Sequence, residues 1–295
     1  MCLKSIIIKD AYPNGNNLLL PYIYIKGNKA DKKIAIIGTQ HGDEFFSVSI
    51  INHFLKKSGH IGKAELYIFF LANPVAFNEN IRRNPIDGKD MNRCWPGKKS
   101  GTITQIICYN IFQIIKNCDY VLDLHNGNKN IRDWPQVRVH KHNRQKTEKL
   151  CKYLGIDFFI NHKEIRNTLV EAMHKINKIA ICVEIGEGKR IDSFYLNKGV
   201  EIIEKFIKFA CENPKISEKA THIKEENIKK IYSSNNGIFI PNDKRLGKKS
   251  NLLGNFIDTI NLKEKQIKLK KQHRFLSINV GGIVNKGQLL ARVVE

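Results

Sequence analysis

The sequence predicts an α/β fold with a mostly parallel sheet flanked by helices, followed by a small all-β domain. Between residues 34 and 211, short apolar runs alternate with segments whose apolar residues recur at helical spacing. This alternation is typical of strand–helix–strand units. After residue 214 the helical spacing ends, and short strand-like runs rich in Gly, Asn and Asp follow. We therefore predict one domain over residues 1–214, and a linker with a C-terminal β domain over residues 215–295.

The predicted strands of the first domain are short, apolar and bounded by turn-forming residues. The turn-rich run YPNGNN separates the first two strands. The all-apolar run after Lys33 is expected in the centre of a sheet that is covered on both faces. The predicted strands are residues 6–8, 22–25, 34–38, 65–72, 120–124 and 179–185.

Helical spacing separates these strands. In the first predicted helix, Phe46, Ile50 and Phe54 recur every four residues and define one apolar face. The predicted helices are residues 45–57, 103–117, 147–154, 169–176 and 200–211.

The C-terminal region contains short strand-like runs and lacks helical spacing. Residues 215–230 are polar and charged, so we interpret them as a linker. The predicted strands are residues 237–241, 252–258, 266–270, 276–279 and 289–294.

The formal net charge of +22 is the most unusual feature of the composition. Lys, Ile and Asn are abundant along the whole chain, which favours a compositional bias with a solvated surface. The densest basic run, residues 262–274, alternates apolar and charged residues like the solvent face of a strand. Steering of anionic substrates and binding of a polyanion are the alternatives.

Composition also indicates the class of protein and its cellular compartment. A hydrophobic fraction of 42% is ordinary for a globular protein and argues against disorder. No run of 18 apolar residues exists, so we expect no membrane span. The apolar run near the N-terminus is too short for a secretory signal. Seven cysteines without a C-x-x-C pair are typical of reduced thiols in a cytoplasmic protein.

Ionisable side chains stand at the ends of three predicted strands. His41 and Glu44 follow the first in the sequence HGDE, His125 follows the second, and Glu184 lies at the end of the third. Because sites in open α/β sheets lie beyond the carboxyl ends of strands, we expect these side chains to meet. Two imidazoles and a carboxylate form a hydrolytic zinc site with an open fourth position. Glu184 would then be free to act as general base.

A long loop contributes further candidates. Residues 73–97 lack periodicity and are rich in Asn, Pro, Gly and charge, and a loop of this length is usually functional or disordered. Asp90 could hold a ligand imidazole in the correct tautomer. Four side chains could donate to a carboxylate or to a developing oxyanion. These donors are Arg82, Arg83, Asn92 and Arg93.

Structural roles are the alternative for each residue taken singly. A histidine near a strand end is more often a hydrogen-bonded structural residue than a ligand. Arg93 could be a buried arginine that pairs with Asp87 or Asp90. Cys182, next to a predicted strand end, is expected to pack in the core rather than to act as a nucleophile. The joint occurrence of the motifs favours a functional site.

These motifs, in their order along the chain, resemble those of the succinylglutamate desuccinylase/aspartoacylase family, a branch of the zinc carboxypeptidase superfamily. The motifs are HGDE, R-x-N-P-x-D-G-x-D-M-N-R-x-W-P-G, DLH and VEIG. The tail segments GIFIP and VNKGQLLARV also resemble the C-terminal module of that family. The resemblance implies a zinc-carboxypeptidase-like fold, one Zn²⁺ per chain and a catalytic Glu184. The zinc ligands that it implies are His41, Glu44 and His125.

The resemblance also implies substrate contacts. Asn92 and Arg93 match the pair that grips a substrate carboxylate. Arg82 matches the arginine that polarises the scissile carbonyl, with the adjacent Arg83 as the alternative. Aspartoacylases proper have a tighter spacing between the carbonyl arginine and the motif D-x-N-R. Because this chain has NPIDGK inserted there, we do not assign it the specificity of an aspartoacylase. Candidates for the family's later arginine and tail tyrosine are Arg166, Arg190 and Tyr232.

We therefore expect a zinc-dependent hydrolase of an amide bond in an N-acyl amino acid or a similar small carboxylate-bearing substrate. A metallocarboxypeptidase acting on short or cell-wall peptides is the first alternative. A non-catalytic protein that binds a polyanion through its basic surface is the second. We expect no nucleic acid or membrane partner. The acyl group, homo-oligomer formation and a contribution of the β domain to the site stay open.

Overall fold

The computed structural model of the chain describes residues 1–12, 14–28, 30–57, 63–139, 144–161, 165–188, 190–214 and 221–295. Its strands are β1 Cys2–Ile8, β2 Leu18–Lys26, β3 Lys32–Gly38, β4 Ala64–Phe69, β5 Tyr120–Gly127, β6 Ile131–Val139, β7 Phe158–Asn161, β8 Ile179–Glu187, β9 Thr221–Lys224, β10 Lys229–Tyr232, β11 Gly237–Pro241, β12 Lys249–Ile257, β13 Glu264–Asn279, β14 Gly282–Val284 and β15 Leu289–Val294. Its α-helices are α1 Phe46–Lys57, α2 Pro74–Asn78, α3 Ile103–Ile115, α4 Arg144–Tyr153, α5 Leu169–Lys175 and α6 Ser193–Glu212.

Four parallel strands form the centre of a mixed sheet, in the order β4-β3-β5-β8. On one side, β2 and β1 continue the sheet in antiparallel fashion. On the other side, β6 runs antiparallel to β8 and leads to the C-terminal strands β13, β12, β11 and β14. The predicted α/β class, with a mixed sheet flanked by helices and C-terminal strands, is confirmed.

The central strands are covered on both faces, which explains their uninterrupted apolar sequence. In β3, Ile34 and Ile36 join the hydrophobic core that contains α1 and α6. Ala35 and Ile37 point to the opposite face and join the core that contains α3. All four side chains are fully buried. Alternate residues of a strand point to opposite faces, so a strand between two helical layers needs apolar residues at every position.

Before residue 214, the strands β6 and β7 were not predicted from the sequence. Strand β6 carries Arg132, Asp133 and Arg138, and these charges obscure its apolar pattern. Arg132 and Asp133 are buried, and Arg132 Nε donates to Glu187 Oε2 over 2.6 Å. Strand β7 has only four residues and pairs with β6 and β9. Tertiary pairing, rather than local sequence, defines both strands.

The C-terminal strands are continuous with the first part of the sheet. Strand β13 pairs with β6 through Ser277 opposite Asp133 and Ile278 opposite Arg132. The two strands predicted at 266–270 and 276–279 form this single strand. The segment predicted as a linker, 215–230, contains β9 and the first two residues of β10. Its residues 215–220 lie outside the described part. The division into two domains at residue 214 stays a prediction.

Other expectations concern the surface and the thiols. Residues 264–272 of β13 are mostly exposed, as their alternating basic sequence predicts. All seven cysteines are free thiols. Among the described residues, no helix is both long enough and apolar enough to cross a membrane.

Candidate active site

A tight turn after β3 delivers the first two predicted ligands. Thr39 has a positive φ of 55°, and its Oγ1 donates to the carbonyl of Phe70 over 3.1 Å. Gly42 lies against α2, where an added Cβ would come within 1.9 Å of the Ala76 carbonyl oxygen. This close approach requires glycine. The turn brings His41 and Glu44, both buried, to the end of the strand.

The carboxylate of Glu44 lies between two imidazoles. His41 Nδ1 is 2.8 Å from Glu44 Oε1, and His125 Nδ1 is 2.8 Å from Glu44 Oε2. The candidate ligand atoms of the three side chains all lie within 4.8 Å of one another. His125 belongs to β5, which is adjacent to β3 in the sheet. The parallel register therefore places the three predicted ligands at one point.

Each imidazole is oriented by a second carboxylate on its other nitrogen. His41 Nε2 lies 3.0 Å from Asp90 Oδ1, and His125 Nε2 lies 3.0 Å from Asp123 Oδ1. Such partners fix the tautomer and the ring orientation of metal-binding histidines. Asp90 was a candidate for this contact in the sequence, whereas Asp123 was missed. The signal was present, because Asp123 stands two residues before His125 and thus on the same face of β5.

Burial and charge act in opposite directions on the three side chains. Burial alone would raise the pKa of Glu44, but the two imidazoles outweigh it and lower that pKa far below its ordinary value. Burial alone would lower the pKa of each imidazole. The Glu44 and Asp90 carboxylates nevertheless raise the pKa of His41, and Asp123 and Glu44 raise that of His125. A bound cation and protons would therefore compete for the same nitrogen lone pairs.

A buried amide connects this cluster to the long loop. Gln40 Nε2 donates to Asp123 Oδ1, and the indole Nε1 of Trp95 donates to Gln40 Oε1 over 2.7 Å. Asn73 Nδ2 donates to the Gln40 backbone carbonyl over 3.1 Å. All four side chains are buried. These contacts fix the Asp123 carboxylate, and the sequence offered no signal for the role of Gln40.

The two adjacent arginines of the loop have different surroundings. Arg82 donates from Nε and Nη2 to Asp90 Oδ2, over 3.2 and 2.9 Å, and its Nη1 lies 3.3 Å from Glu44 Oε1. Its side chain is 43% exposed and lines the cavity above the cluster. Arg83 is exposed and donates to the Gly88 carbonyl over 3.1 Å. It is not among the described residues that line this cavity.

Asn92 and Arg93 also face the cavity. The backbone N–H of Leu169 donates to Asn92 Oδ1 over 3.0 Å. This contact leaves Asn92 Nδ2 beside His125, 3.2 Å from its Nε2. Arg93 is exposed and donates to the Asn92 carbonyl over 2.6 Å. A buried amide and an exposed guanidinium therefore stand side by side at the cavity wall.

Glu184 faces the same cavity from the neighbouring strand. It lies on β8 opposite His125 of β5, and its side chain is 18% exposed. Arg138 of β6 approaches it, with Nε 3.3 Å from Glu184 Oε1. A partly hydrated carboxylate next to the candidate ligands can exchange a proton with a small molecule in the cavity.

The cavity has a volume of about 330 Å³, which suits a small ligand. Besides Asp123, sequence reasoning missed three further charged residues of its lining, namely Asp133, Arg138 and Arg292. Burial, with Glu184 nearby, raises the pKa of Asp133 to about 6. Arg292 lies on β15, so the C-terminal strands contribute to the wall. Arg166, Arg190 and Tyr232 are not among the described lining residues.

The donor set fits a zinc ion. Two imidazoles with Nδ1 turned inward, one carboxylate, and an adjoining cavity match the composition of hydrolytic zinc sites. The further carboxylates on both Nε2 atoms match the usual surroundings of such ligands. The residues that could hold the metal are His41, Glu44 and His125.

Comparisons with known proteins agree on one family. The model of the succinylglutamate desuccinylase/aspartoacylase catalytic domain matches residues 30–210. An N-alpha-acetyl-L-2,4-diaminobutyric acid deacetylase from Halomonas elongata is 23% identical over 179 residues. That match covers 58% of this chain and 52% of the relative. The chain thus spans about half the length of this curated relative.

Solved structures share the fold at low identity. The product-bound ectoine utilization protein EutE (DoeB) from Ruegeria pomeroyi has a TM-score of 0.81 and 18% identity, covering 99% of this chain and 94% of its own. A succinylglutamate desuccinylase/aspartoacylase from Rhodobacter sphaeroides has a TM-score of 0.78 and 16% identity, covering 99% and 95%. A metallo-carboxypeptidase from Pseudomonas aeruginosa has a TM-score of 0.52 and 17% identity, covering 70% and 64%. Because the family model matches more than half of the chain, this chain belongs to the succinylglutamate desuccinylase/aspartoacylase family.

Proposed function

We propose that the protein is a zinc-dependent hydrolase that cleaves an amide bond in an N-acyl amino acid or a similar small carboxylate-bearing substrate. One observation carries the proposal: His41, Glu44 and His125 converge below a cavity that Glu184 also lines. Membership in the family supports it. The name of the Halomonas relative, a deacetylase of an N-acetylated amino acid, supports the substrate class.

His41, Glu44 and His125 would hold one Zn²⁺. When bound, zinc would acidify a water molecule, to a pKa of about 7, and polarise a carbonyl group. Asp90 and Asp123 keep the inward-facing Nδ1 atoms available by accepting from the opposite ring nitrogens. This arrangement favours neutral imidazole ligands.

The remaining residues supply acid–base chemistry and positioning. Glu184 accepts a proton from the attacking water and returns it to the leaving amine. Arg138 holds the Glu184 carboxylate at the cavity wall. Arg82 donates to the oxygen of the scissile carbonyl as negative charge develops there. Its attachment to Asp90 limits the positions that its guanidinium can take.

The free carboxylate of the substrate would bind at Arg93 and Asn92. Arg93 is exposed and can reach a ligand, and the donor atoms of Asn92 face the cavity. A cavity of about 330 Å³ suits an acylated amino acid better than a long peptide. A cytoplasmic location and assembly into a homo-oligomer stay predictions.

A substrate panel with two variants tests the proposal. We expect hydrolysis of one or more N-acetyl or N-succinyl amino acids, including acetylated diamino acids. Glu184→Gln should lower kcat by about 10²- to 10⁴-fold while zinc content is unchanged. The matched control is Glu201→Gln on α6, which alters the surface ion pairs with Lys198 and Lys205 and should retain activity. Full activity of Glu184→Gln would refute its role as base.

Short peptides added to the same panel distinguish the proposed deacylase from a metallocarboxypeptidase. The fold similarity to the Pseudomonas enzyme favours this alternative. Short peptides with a free C-terminal carboxylate should be poor substrates under our proposal. Faster cleavage of peptides than of every N-acyl amino acid would replace the deacylase assignment by the peptidase assignment.

A further inference from the structure

A second group of metal-binding side chains lies beside the first and shares His125 with it. Asp123, His125 and Cys182 are buried, and one candidate ligand atom from each lies within 4.8 Å of the others. Strand pairing explains the juxtaposition. Asp123 and Cys182 are directly opposite each other on β5 and β8, and His125 follows Asp123 at the next position on the same face of the strand.

The carboxylate of Asp123 has an unused oxygen. Its Oδ1 accepts from Gln40 and lies 3.0 Å from His125 Nε2. Its Oδ2 is buried and has no hydrogen-bond partner within the described part of the chain. Asp123 is fully buried, yet it lines the cavity together with Cys182. A buried carboxylate oxygen without a partner is costly and requires an explanation.

The two nitrogens of His125 face different neighbours. Nδ1 lies 2.8 Å from Glu44, on the side of the proposed zinc site. Nε2 lies 3.0 Å from Asp123, on the side of Cys182. Once the proton on Nε2 is lost, this side chain can contribute to two adjacent sites, one through each nitrogen.

We propose that Asp123, His125 and Cys182 form a second, inhibitory site for a thiophilic divalent cation such as Cd²⁺ or excess Zn²⁺. Sulfur and imidazole ligands favour such cations over Mg²⁺ and Ca²⁺. Asp123 supplies a negative charge, and its free Oδ2 supplies a lone pair. On binding, the proton of the Cys182 thiol and the proton on His125 Nε2 pass to solvent.

Occupation of this site would impair hydrolysis in two ways. The cation would take over the nitrogen of His125 that Asp123 orients, and so disturb a ligand of the catalytic zinc. It would also add positive charge beside Glu184, which lies two residues after Cys182 on the same face of β8. The inhibition rests on the proposed function, whereas the binding of the cation does not.

Cadmium titration of the full chain tests the binding directly. Cadmium bound to a thiolate gives a sulfur-to-metal charge-transfer absorption in the ultraviolet. We expect the wild-type protein to show this band, and both Cys182→Ala and Cys182→Ser to lose it. The matched control is Cys2→Ser, which removes an exposed thiol and should retain the band. An unchanged band in the Cys182 variants, or its absence in the wild type, would overturn the proposal.

Two further readouts complete the test. In wild-type crystals soaked with Cd²⁺, we expect an anomalous peak at bonding distance from Cys182 Sγ. The absence of such a peak would contradict the site. This test does not depend on the folding of any variant. Glu44→Gln should retain the band, because Glu44 belongs to the proposed zinc site only. Cys182→Ala should need at least about 10-fold more Cd²⁺ for half-inhibition of hydrolysis. If no substrate is hydrolysed, the band still reports on the cation site alone.

Discussion

Replacing Asp123 by Asn tests how far the surroundings of the ligands determine zinc affinity. The change removes the negative charge that faces His125 Nε2 at 3.0 Å in a fully buried position. The three ligands themselves are unaltered. Removal of such a partner typically weakens metal binding by about 10- to 100-fold, which is about 1.4 to 2.7 kcal/mol. We expect a loss of zinc affinity in this range, with kcat largely regained at saturating zinc.

Asp90→Asn provides an informative comparison, because Asp90 has two tasks. Its Oδ1 lies 3.0 Å from His41 Nε2, and its Oδ2 accepts two hydrogen bonds from Arg82. Loss of the first contact should weaken zinc binding as in Asp123→Asn. Loss of the second frees the guanidinium that we assign to the scissile carbonyl. We therefore expect kcat of Asp90→Asn to stay at least about 10-fold low at saturating zinc.

The assay is a zinc competition titration against a chromogenic chelator, followed by kinetics at saturating zinc. Asp31→Asn, on the exposed surface, serves as the control for loss of one negative charge. Unchanged zinc affinity in Asp123→Asn would refute the assigned role of the carboxylate. Equal recovery of kcat in both site variants would refute the link between Asp90 and Arg82.

Three other predictions concern stability. Burial, with Glu184 nearby, raises the pKa of Asp133 from 3.8 to about 6. Ionisation of this one carboxyl group therefore contributes a progressive destabilisation as pH rises from 3.8 to 6. Asp133→Asn should therefore raise the free energy of unfolding by about 3 kcal/mol at pH 7 and leave it unchanged below pH 3.8. Urea denaturation at both pH values would measure this difference. Gly42→Ala should destabilise the fold by about 1–3 kcal/mol and weaken zinc binding, because the added Cβ would meet the Ala76 carbonyl. Thermal unfolding would measure the first effect, and zinc titration would measure the second. Chelation should lower the Tm, and zinc at 100 times its Kd should restore it by raising the free energy of unfolding by about 2.7 kcal/mol. An unchanged Tm would contradict metal linkage.

The sequence was informative where burial is complete. A strand covered on both faces must be apolar throughout, so β3 and β8 could be recognised from their residues alone. The end of β3 was predicted correctly, just before the turn that carries His41, whereas β8 continues past Glu184 to Glu187. Parallel order then implied that these side chains meet, and the structure brings them to one cavity.

Sequence reasoning was weak where tertiary contacts satisfy charges. Arg132 and Asp133 prevented the prediction of β6. In the sequence, buried charged residues with partners cannot be distinguished from the charged residues of a polar loop. Arg292 could not be assigned to the cavity, because its place depends on the pairing of β13 with β6 and β15. Asp123 precedes a predicted ligand by two residues. Its buried contact with Gln40 could not be predicted, because it depends on the pairing of β5 with β3 and on the turn after β3.

The most direct test of the central claim is the position of zinc in a crystal of the protein loaded with one equivalent of the metal. Anomalous scattering at the zinc absorption edge gives that position without reference to activity. We predict a single peak bonded to His41 Nδ1, His125 Nδ1 and the Glu44 carboxylate. No peak at these atoms, or a peak at Asp123 and Cys182 in their place, would contradict the proposed catalytic site.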